Sequence, residues 1–241
     1  MTSPEAQNLA SHFIESVLAL RPAIAVFDCD GTLWSGDAGR DFLFWEIERG
    51  VVGPDVAEAM LERYRAYERG EVDEEMICGE MVTMHQGLPI DALSTVAEEF
   101  FEEVVSPRIF TEMQELTSRL AENGCEIWAV SSTNDWLVEA GASRFGITGD
   151  HVLAASVHTE QGSATDRLIR VPTDELKVVA IREGIGKPVD AIFGNSIHDQ
   201  AMLEIASHPF CVNPNPDLLQ VAKKKNWPIS WPNGTNPKFP S

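Results

Sequence analysis

Apolar residues recur along this chain with two different periods, and the change of period divides it. Leu9, Phe13, Ile14, Val17 and Leu18 fall at helical spacing and predict an amphipathic helix that ends at Arg21-Pro22. Ala23-Ile24-Ala25-Val26-Phe27 is a short continuous apolar run that stops at Asp28, the pattern of a strand buried on both faces. From about Asp37 to Val105 the period is helical throughout. Gly50, Gly53-Pro54, Gly70 and Gly87-Leu88-Pro89 punctuate that block into four or five helices. Strand and helix then alternate, with strands at 126–130, 152–156, 189–193 and 210–212 and helices at 136–145, 173–183, 200–206 and 216–225. A polar, hairpin-like segment follows the strand at 152–156 and runs to Arg170. This alternation predicts an α/β fold, a doubly wound parallel sheet with helices on both faces, interrupted by a helical insertion. Ligands in such sheets bind beyond the carboxyl ends of the strands. The proline-containing tail from Trp231 is predicted to be irregular.

Composition narrows the function more than the fold. At 241 residues, with 44% hydrophobic and 23% charged residues, the chain suits one α/β domain plus an insertion. No apolar stretch approaches the roughly 18 residues of a membrane helix. The opening Met1-Thr2-Ser3-Pro4-Glu5 has no basic and apolar leader pattern, so no secretory signal is expected. Eighteen Lys and Arg against 38 Asp and Glu give a net charge of −20, which repels nucleic acid and anionic lipid, so neither is expected as a partner. Much of the acid lies between Glu46 and Glu103 and reads as solvated helix faces. Cys29, Cys78, Cys125 and Cys211 are far apart and form no CxxC pair. Neither a disulfide framework nor a zinc site is expected, and the cytoplasm is the expected compartment.

Four predicted strand ends carry polar groups, and those ends should converge. Asp28-Cys29-Asp30-Gly31-Thr32 puts two carboxylates just past a buried strand, costly to place there unless a cation neutralises them. Gly31 lets the chain turn sharply. Ser131-Ser132-Thr133 follows the next strand, where hydroxyls and free N–H groups at a helix start would hold an anion. Lys177 lies near the start of the helix after the hairpin, whereas Lys187, the other candidate, sits only a few residues before its strand. Gly194-Asn195-Ser196-Ile197-His198-Asp199 comes directly after the 189–193 strand. Taken singly, each segment is also explained by an ordinary turn, a helix cap or a surface lysine. Together they suit phosphoryl transfer.

In these residues the sequence resembles the haloacid dehalogenase superfamily, in particular its phosphoserine-phosphatase-like branch. Phe27 to Leu33 matches the first motif of that superfamily, Ser131 the second, Lys177 the third and Gly194 to Asp199 the fourth. The resemblance runs from about Ala23 to Trp227. It implies a Rossmann-like core made of residues 1–36 and 106–241, with a helical cap at 37–105 that closes over the site. It implies hydrolysis of a small-molecule phosphate ester with Mg²⁺ as cofactor. Asp28 would be the nucleophile, forming an aspartyl-phosphate, and Asp30 the acid and base. Ser131, Ser132, Lys177 and Thr32 would bind phosphate, and Asp28, Asp30, Asn195 and Asp199 would form the metal site.

Two departures from the branch bear on chemistry and substrate. The first acid of the fourth motif is replaced by Asn195, which still offers an oxygen but no charge, so Mg²⁺ affinity should fall. In the cap, Gly79 stands where the branch holds an arginine for the substrate carboxylate, and Asp37 falls where it holds an acid for the amino group. Glu80 would repel a carboxylate if it faces inward. Trp34 and Trp45 flank Asp37, and an indole face attracts quaternary ammonium, although both could instead pack between cap and core. The resemblance thus implies a phosphoserine-like or amine-bearing alcohol phosphate, of the phosphorylethanolamine or phosphocholine type. A phosphotransferase using the same intermediate, or a silent binding protein, remains open at this level.

Overall fold

The computed structural model describes residues 4–232, with side chains from Asn8 onward. The expected irregular tail falls, from Asn233, outside the described residues. Strand β1 (Ile24–Phe27) is buried at all four positions and pairs in parallel with β2 (Glu126–Asn134) and β5 (Ala191–Gly194). Outside these lie β3 (Val152–Glu160) on β2 and β6 (His208–Val212) on β5, both parallel. Antiparallel β4 (Ser163–Arg170) and the short parallel β7 (Ile229–Ser230) complete a seven-stranded sheet of order β4-β3-β2-β1-β5-β6-β7.

Alternate residues of β1 serve two cores, because successive side chains of a strand point to opposite faces. Ala25 and Phe27 join one apolar cluster with α1 (Pro4–Leu18), α6 (Thr111–Glu122) and α7 (Asp135–Ala142). Ile24 and Val26 join the other with α8 (Asp174–Ile185), α9 (Gln200–Ile205) and α10 (Pro216–Lys225). Across the strands Phe27 stacks on Phe193, with ring centroids 4.2 Å apart, and Phe193 on Phe210 at 4.9 Å. This ladder fixes the register that brings the ends of β1 and β5 level.

Between Ala38 and Phe100 the chain forms four helices, α2 (Ala38–Glu48), α3 (Pro54–Glu68), α4 (Glu74–Thr83) and α5 (Ile90–Phe100), followed by a π-helical turn at Phe101–Val105. Part of this block has its own core of Leu43, Met60, Tyr64, Ala66, Val72 and Ile77. Phe42, Leu93, Ala97 and Phe100 instead belong to the cluster under the sheet, so the block is anchored to it. The β3–β4 hairpin grips it too. Ile90 N–H donates to Gly162 O at 2.9 Å, and Ala164 N–H to Leu88 O at 2.9 Å.

Helix α6 and strand β7 escape the sequence reading, although Met113, Leu116 and Leu120 of α6 carry the spacing and are buried. One expected element changes character. Ser131 to Thr133 do not open a helix, because β2 continues through a bulge to Asn134. Asn134 is the residue that caps α7, accepting from Leu137 N–H at 3.0 Å.

Candidate active site

The site is built at the ends of β1, β2 and β5. The N–H of Asp28 donates to Phe193 O at 2.9 Å, extending β1 pairing by one residue and fixing the Asp28 side chain at the sheet's edge. Gly31, with φ of +76°, turns the chain back. A Cβ there would lie 1.8 Å from the Asn195 side-chain nitrogen, so only glycine lets the two loops approach. Thr32 Oγ1 donates to Asp28 Oδ2 at 2.8 Å, placing this hydroxyl on the carboxylate rather than in the cleft.

Lys177, in the first turn of α8, reaches under the sheet end. Its Nζ donates to Asp28 Oδ1 at 2.8 Å and to Asp199 Oδ1 at 2.5 Å, and all three side chains are almost completely buried. The other oxygen of Asp199 accepts the N–H groups of Asn195 and Ser196 at 2.8 and 2.9 Å. Asp199 is fully buried and both its oxygens are engaged. It holds Lys177 and the 195–196 loop in place and does not line the cleft. Lys187 is exposed on the surface beside Glu126.

Asp30 is the hub of a second network. Its Oδ1 accepts the Trp34 indole N–H at 2.6 Å and Ala38 N–H at 2.8 Å, and its Oδ2 accepts the Thr133 hydroxyl at 3.0 Å. The first residue of α2 is thus tied directly to Asp30, linking the helical block to the carboxylate.

Electrostatics follow from this crowding. Burial, then the charge of Asp199, raises the Asp28 carboxyl to about 7 against the opposing pull of Lys177 and Thr32. Burial also raises Asp30, held back by its donors at Ala38, Trp34 and Thr133. Burial alone would lower the Lys177 ammonium, but Asp199 and Asp28 outweigh it and hold the group well above the usual lysine range. Asp28 and Asp199 share the one ammonium of Lys177, and Asp30 adds a third carboxylate whose own partners carry no charge.

Asp28 and Asp30 lie at the floor of a cleft of about 270 Å³. Ser131, Ser132, Thr133, Lys177 and Asn195 line it from the sheet side. Asp37, Arg40, Tyr64, Tyr67, Glu74 and Cys78 line it from the helical block. Among the described residues no three Asp, Glu, His or Cys side chains form a cage for an ion. A cation here would rely on Asp28, the amide of Asn195 and a ligand's own oxygens. Sparse oxygen ligation of that kind, beside excess negative charge, fits Mg²⁺.

The profile of the haloacid dehalogenase-like hydrolases matches residues 25–204, most of the chain. The chain belongs to that family. Among its relatives is a histidinol-phosphatase of Neisseria meningitidis serogroup C, 26% identical over 217 residues that cover 86% of this chain and 97% of the relative. The phosphoserine phosphatase SerB1 of Mycobacterium tuberculosis is 24% identical over 86% of this chain and 70% of its own. A solved protein of unknown function from Bordetella pertussis Tohama I superposes with a TM-score of 0.75 at 23% identity, over 86% of this chain and 97% of its own, a likeness of fold. Phosphatases stand among the named relatives of this haloacid dehalogenase-like hydrolase.

Four residues expected to set specificity do not line the hydrolase's cleft. Trp34 is buried edge-to-face against Phe101 at 5.4 Å, its indole N–H spent on Asp30. Trp45 packs on Phe42 and Phe100, with Arg49 3.9 Å over its ring. Gly79 faces Leu168 and Val171 of the hairpin side, where a Cβ would come within 3.0 Å of Leu168 Cδ1. Glu80 forms an ion pair with Arg63 at 2.7 Å. Asp37 does line the cleft, capping α2 by accepting Arg40 N–H at 2.8 Å. It keeps an exposed edge at the mouth. Even so, neighbouring protein displaces enough water to push its carboxyl up to about 6, helped by Asp30, Glu74 and Asp41. Tyr64, Tyr67, Glu74 and His198 line the cleft without having been singled out. The spacing of Tyr64 and Tyr67, one helical turn apart, was the available signal.

Proposed function

We propose that the protein is a Mg²⁺-dependent phosphomonoesterase acting on a small alcohol phosphate through an aspartyl-phosphate on Asp28. The observation that carries this reading is the buried Asp28–Lys177–Asp199 triad, whose Asp28 and Lys177 line the cleft together with Ser131. Asp28 attacks phosphorus, the bond from phosphorus to the leaving oxygen breaks, and Asp30 delivers its proton to that oxygen. Water then attacks the phosphoryl group and gives its proton to Asp30. The acyl-phosphate bond breaks, and inorganic phosphate leaves with Asp28 restored. Lys177 and Ser131 hold the phosphoryl oxygens, Thr32 orients the nucleophile, and Asp199 positions Lys177. Asp28, the backbone carbonyl of Asp30 and Asn195 would hold Mg²⁺, which would offset charge on the transferring phosphoryl group.

In this reading residues 37–105 are the cap that excludes water, and the Asp30 to Ala38 hydrogen bond couples cap position to the acid. The leaving alcohol bears an amine, met by Asp37. The four free cysteines accord with a reducing, cytoplasmic compartment, and among the described residues no helix is long and apolar enough to cross a membrane. The test is turnover of an aryl phosphate with and without Mg²⁺, alongside covalent labelling by beryllium fluoride. Asp28→Asn should abolish both, and full retained activity in that variant refutes the assignment. Asp30→Asn should slow alkyl phosphates more than aryl ones, because good leaving groups need little proton donation.

A further inference from the structure

The far wall of the cleft has a chemistry of its own. Tyr64 and Tyr67 of α3 line it with ring centroids 5.7 Å apart and planes at 56°. The Tyr67 hydroxyl donates to Glu74 Oε2, and the Cys78 thiol lies 3.8 Å from Glu74 Oε1, so the carboxylate at the start of α4 is held from two sides. Asp37 lines the same space, fixed by its cap to α2. Basic groups that line the cleft have partners of their own. Lys177 is in the buried triad. Arg40 pairs with Asp41 at 3.6 Å and lies 5.5 Å from the Phe44 ring centre, and neither partner lines the cleft. His198 pairs with Asp174 at 2.9 Å. The wall above the phosphoryl position thus presents two carboxylates and two phenol rings, with the half-exposed Arg40 beside them.

We propose that Glu74, Tyr64 and Tyr67, together with Asp37, form a seat for an N–H-bearing cation on the substrate's alcohol, and that this seat sets the specificity of the enzyme. The seat rests on the phosphatase reading above. Carboxylates reward a cation that donates, since charge-assisted hydrogen bonds are about twice as strong as neutral ones, while the tyrosine faces attract the positive charge. A quaternary ammonium keeps the attraction of its charge to the rings and carboxylates but donates no hydrogen bond to either carboxylate. A carboxylate-bearing ester meets like charge. Repulsion thus contributes to selection as much as attraction does.

The experiment compares kcat/KM for phosphorylethanolamine, its trimethylated counterpart phosphocholine, neutral glycerol phosphate and phosphoserine. Phosphorylethanolamine should exceed phosphocholine and phosphoserine by tenfold or more. In Glu74→Gln the ratio of the ammonium ester to the neutral ester should fall at least tenfold, and Tyr67→Phe, which keeps the ring but releases Glu74, should lower it by less. Glu75→Gln, whose side chain is outside the cleft, should leave the ratio alone. An unchanged ratio in both Glu74→Gln and Tyr67→Phe, equal losses on the two esters, or a preference for phosphoserine overturns the seat. Hydrolysis of an aryl phosphate without any Glu74-dependent ratio would overturn the seat alone. Failure to hydrolyse any ester, with no label on Asp28, would overturn the phosphatase reading beneath it.

Discussion

Replacing Lys177 with methionine removes the only ammonium from the buried triad while keeping much of the side chain's volume. Lys177 is 4% exposed, Asp28 8% and Asp199 0%, so water cannot take over the role of the lost charge. Two carboxylates, each within hydrogen-bond range of the missing nitrogen, are left facing one another. Removing one partner of a buried ion pair costs about 3–5 kcal/mol. For a chain of this size each kcal/mol moves Tm by about 2–4 °C, so a fall of roughly 6–20 °C is expected. The loss should also depend on pH. Asp28 is already raised to about 7 with Lys177 pulling it down, and removal of that pull raises it further. A carboxyl raised in the folded state binds more protons folded than unfolded, so stability falls as pH rises from the unfolded value towards the folded one. The deficit of Lys177→Met should therefore be small near pH 5 and grow towards pH 8.

The assay is urea unfolding at pH 5, 7 and 8 without added metal, with Lys187→Met as the control because Lys187 is exposed. Turnover at saturating Mg²⁺ should drop about 10²–10³-fold in Lys177→Met, the scale of losing one donor to a developing charge. Equal, pH-independent losses in the two variants, both under about 1 kcal/mol, would refute the reasoning.

Metal dependence should follow from Asn195. Activity should vanish with a chelator and return with Mg²⁺, and Asn195→Asp should lower the Mg²⁺ concentration for half activity by adding an anion to the site, read from activity titrations. Asp37, raised to about 6, attracts an ammonium only when ionised. The kcat/KM ratio of ammonium to neutral ester should therefore rise from pH 5 to 7 and stay flat in Asp37→Asn. Gly31→Ala combines a positive φ with a contact on Asn195, so urea unfolding should show at least about 1–3 kcal/mol of destabilisation, with weaker Mg²⁺ activation.

The floor of the site was legible because burial and charge conflict there. An apolar run that ends in Asp28 and Asp30 leaves few physical explanations, and the structure answers with Lys177, which a helical start after the hairpin had marked. The doubly wound sheet was legible for a related reason. A four-residue strand apolar at every position has to satisfy two cores, and Ile24 to Phe27 do so in alternation. Ser131 to Thr133 were misread because hydroxyl residues after a strand look the same whether they cap a helix or continue the strand through a bulge. Only the pairing of Asn134 with Ala155 on β3 distinguishes the two.

Trp34, Trp45, Gly79 and Glu80 lie outside the cleft for a reason of direction rather than of chemistry. Nearness to Asp37 along the chain says nothing about which way a side chain turns. Trp34 and Trp45, with large apolar surfaces to bury, turned into the core, leaving the smaller phenol rings of Tyr64 and Tyr67 for the wall. Helix α4 shows the same logic in one step. Glu74, Ile77, Cys78 and Met81 line the cleft, the i, i+3, i+4, i+7 stripe of a single face. Each residue advances that face by about 100°, so moving from Cys78 to Gly79 carries the position from the cleft to the hairpin, where its neighbours are Leu168 and Val171. An alignment offset by one residue would leave the fold of the helical block intact and change every residue assigned to the substrate. Apolar and acidic stripes on α3 and α4, followed at helical period, would have pointed to Tyr64, Tyr67 and Glu74 without the structure. The missing carboxylate partner sought at Gly79 is thus less informative than the Glu74 carboxylate that stands in the cleft.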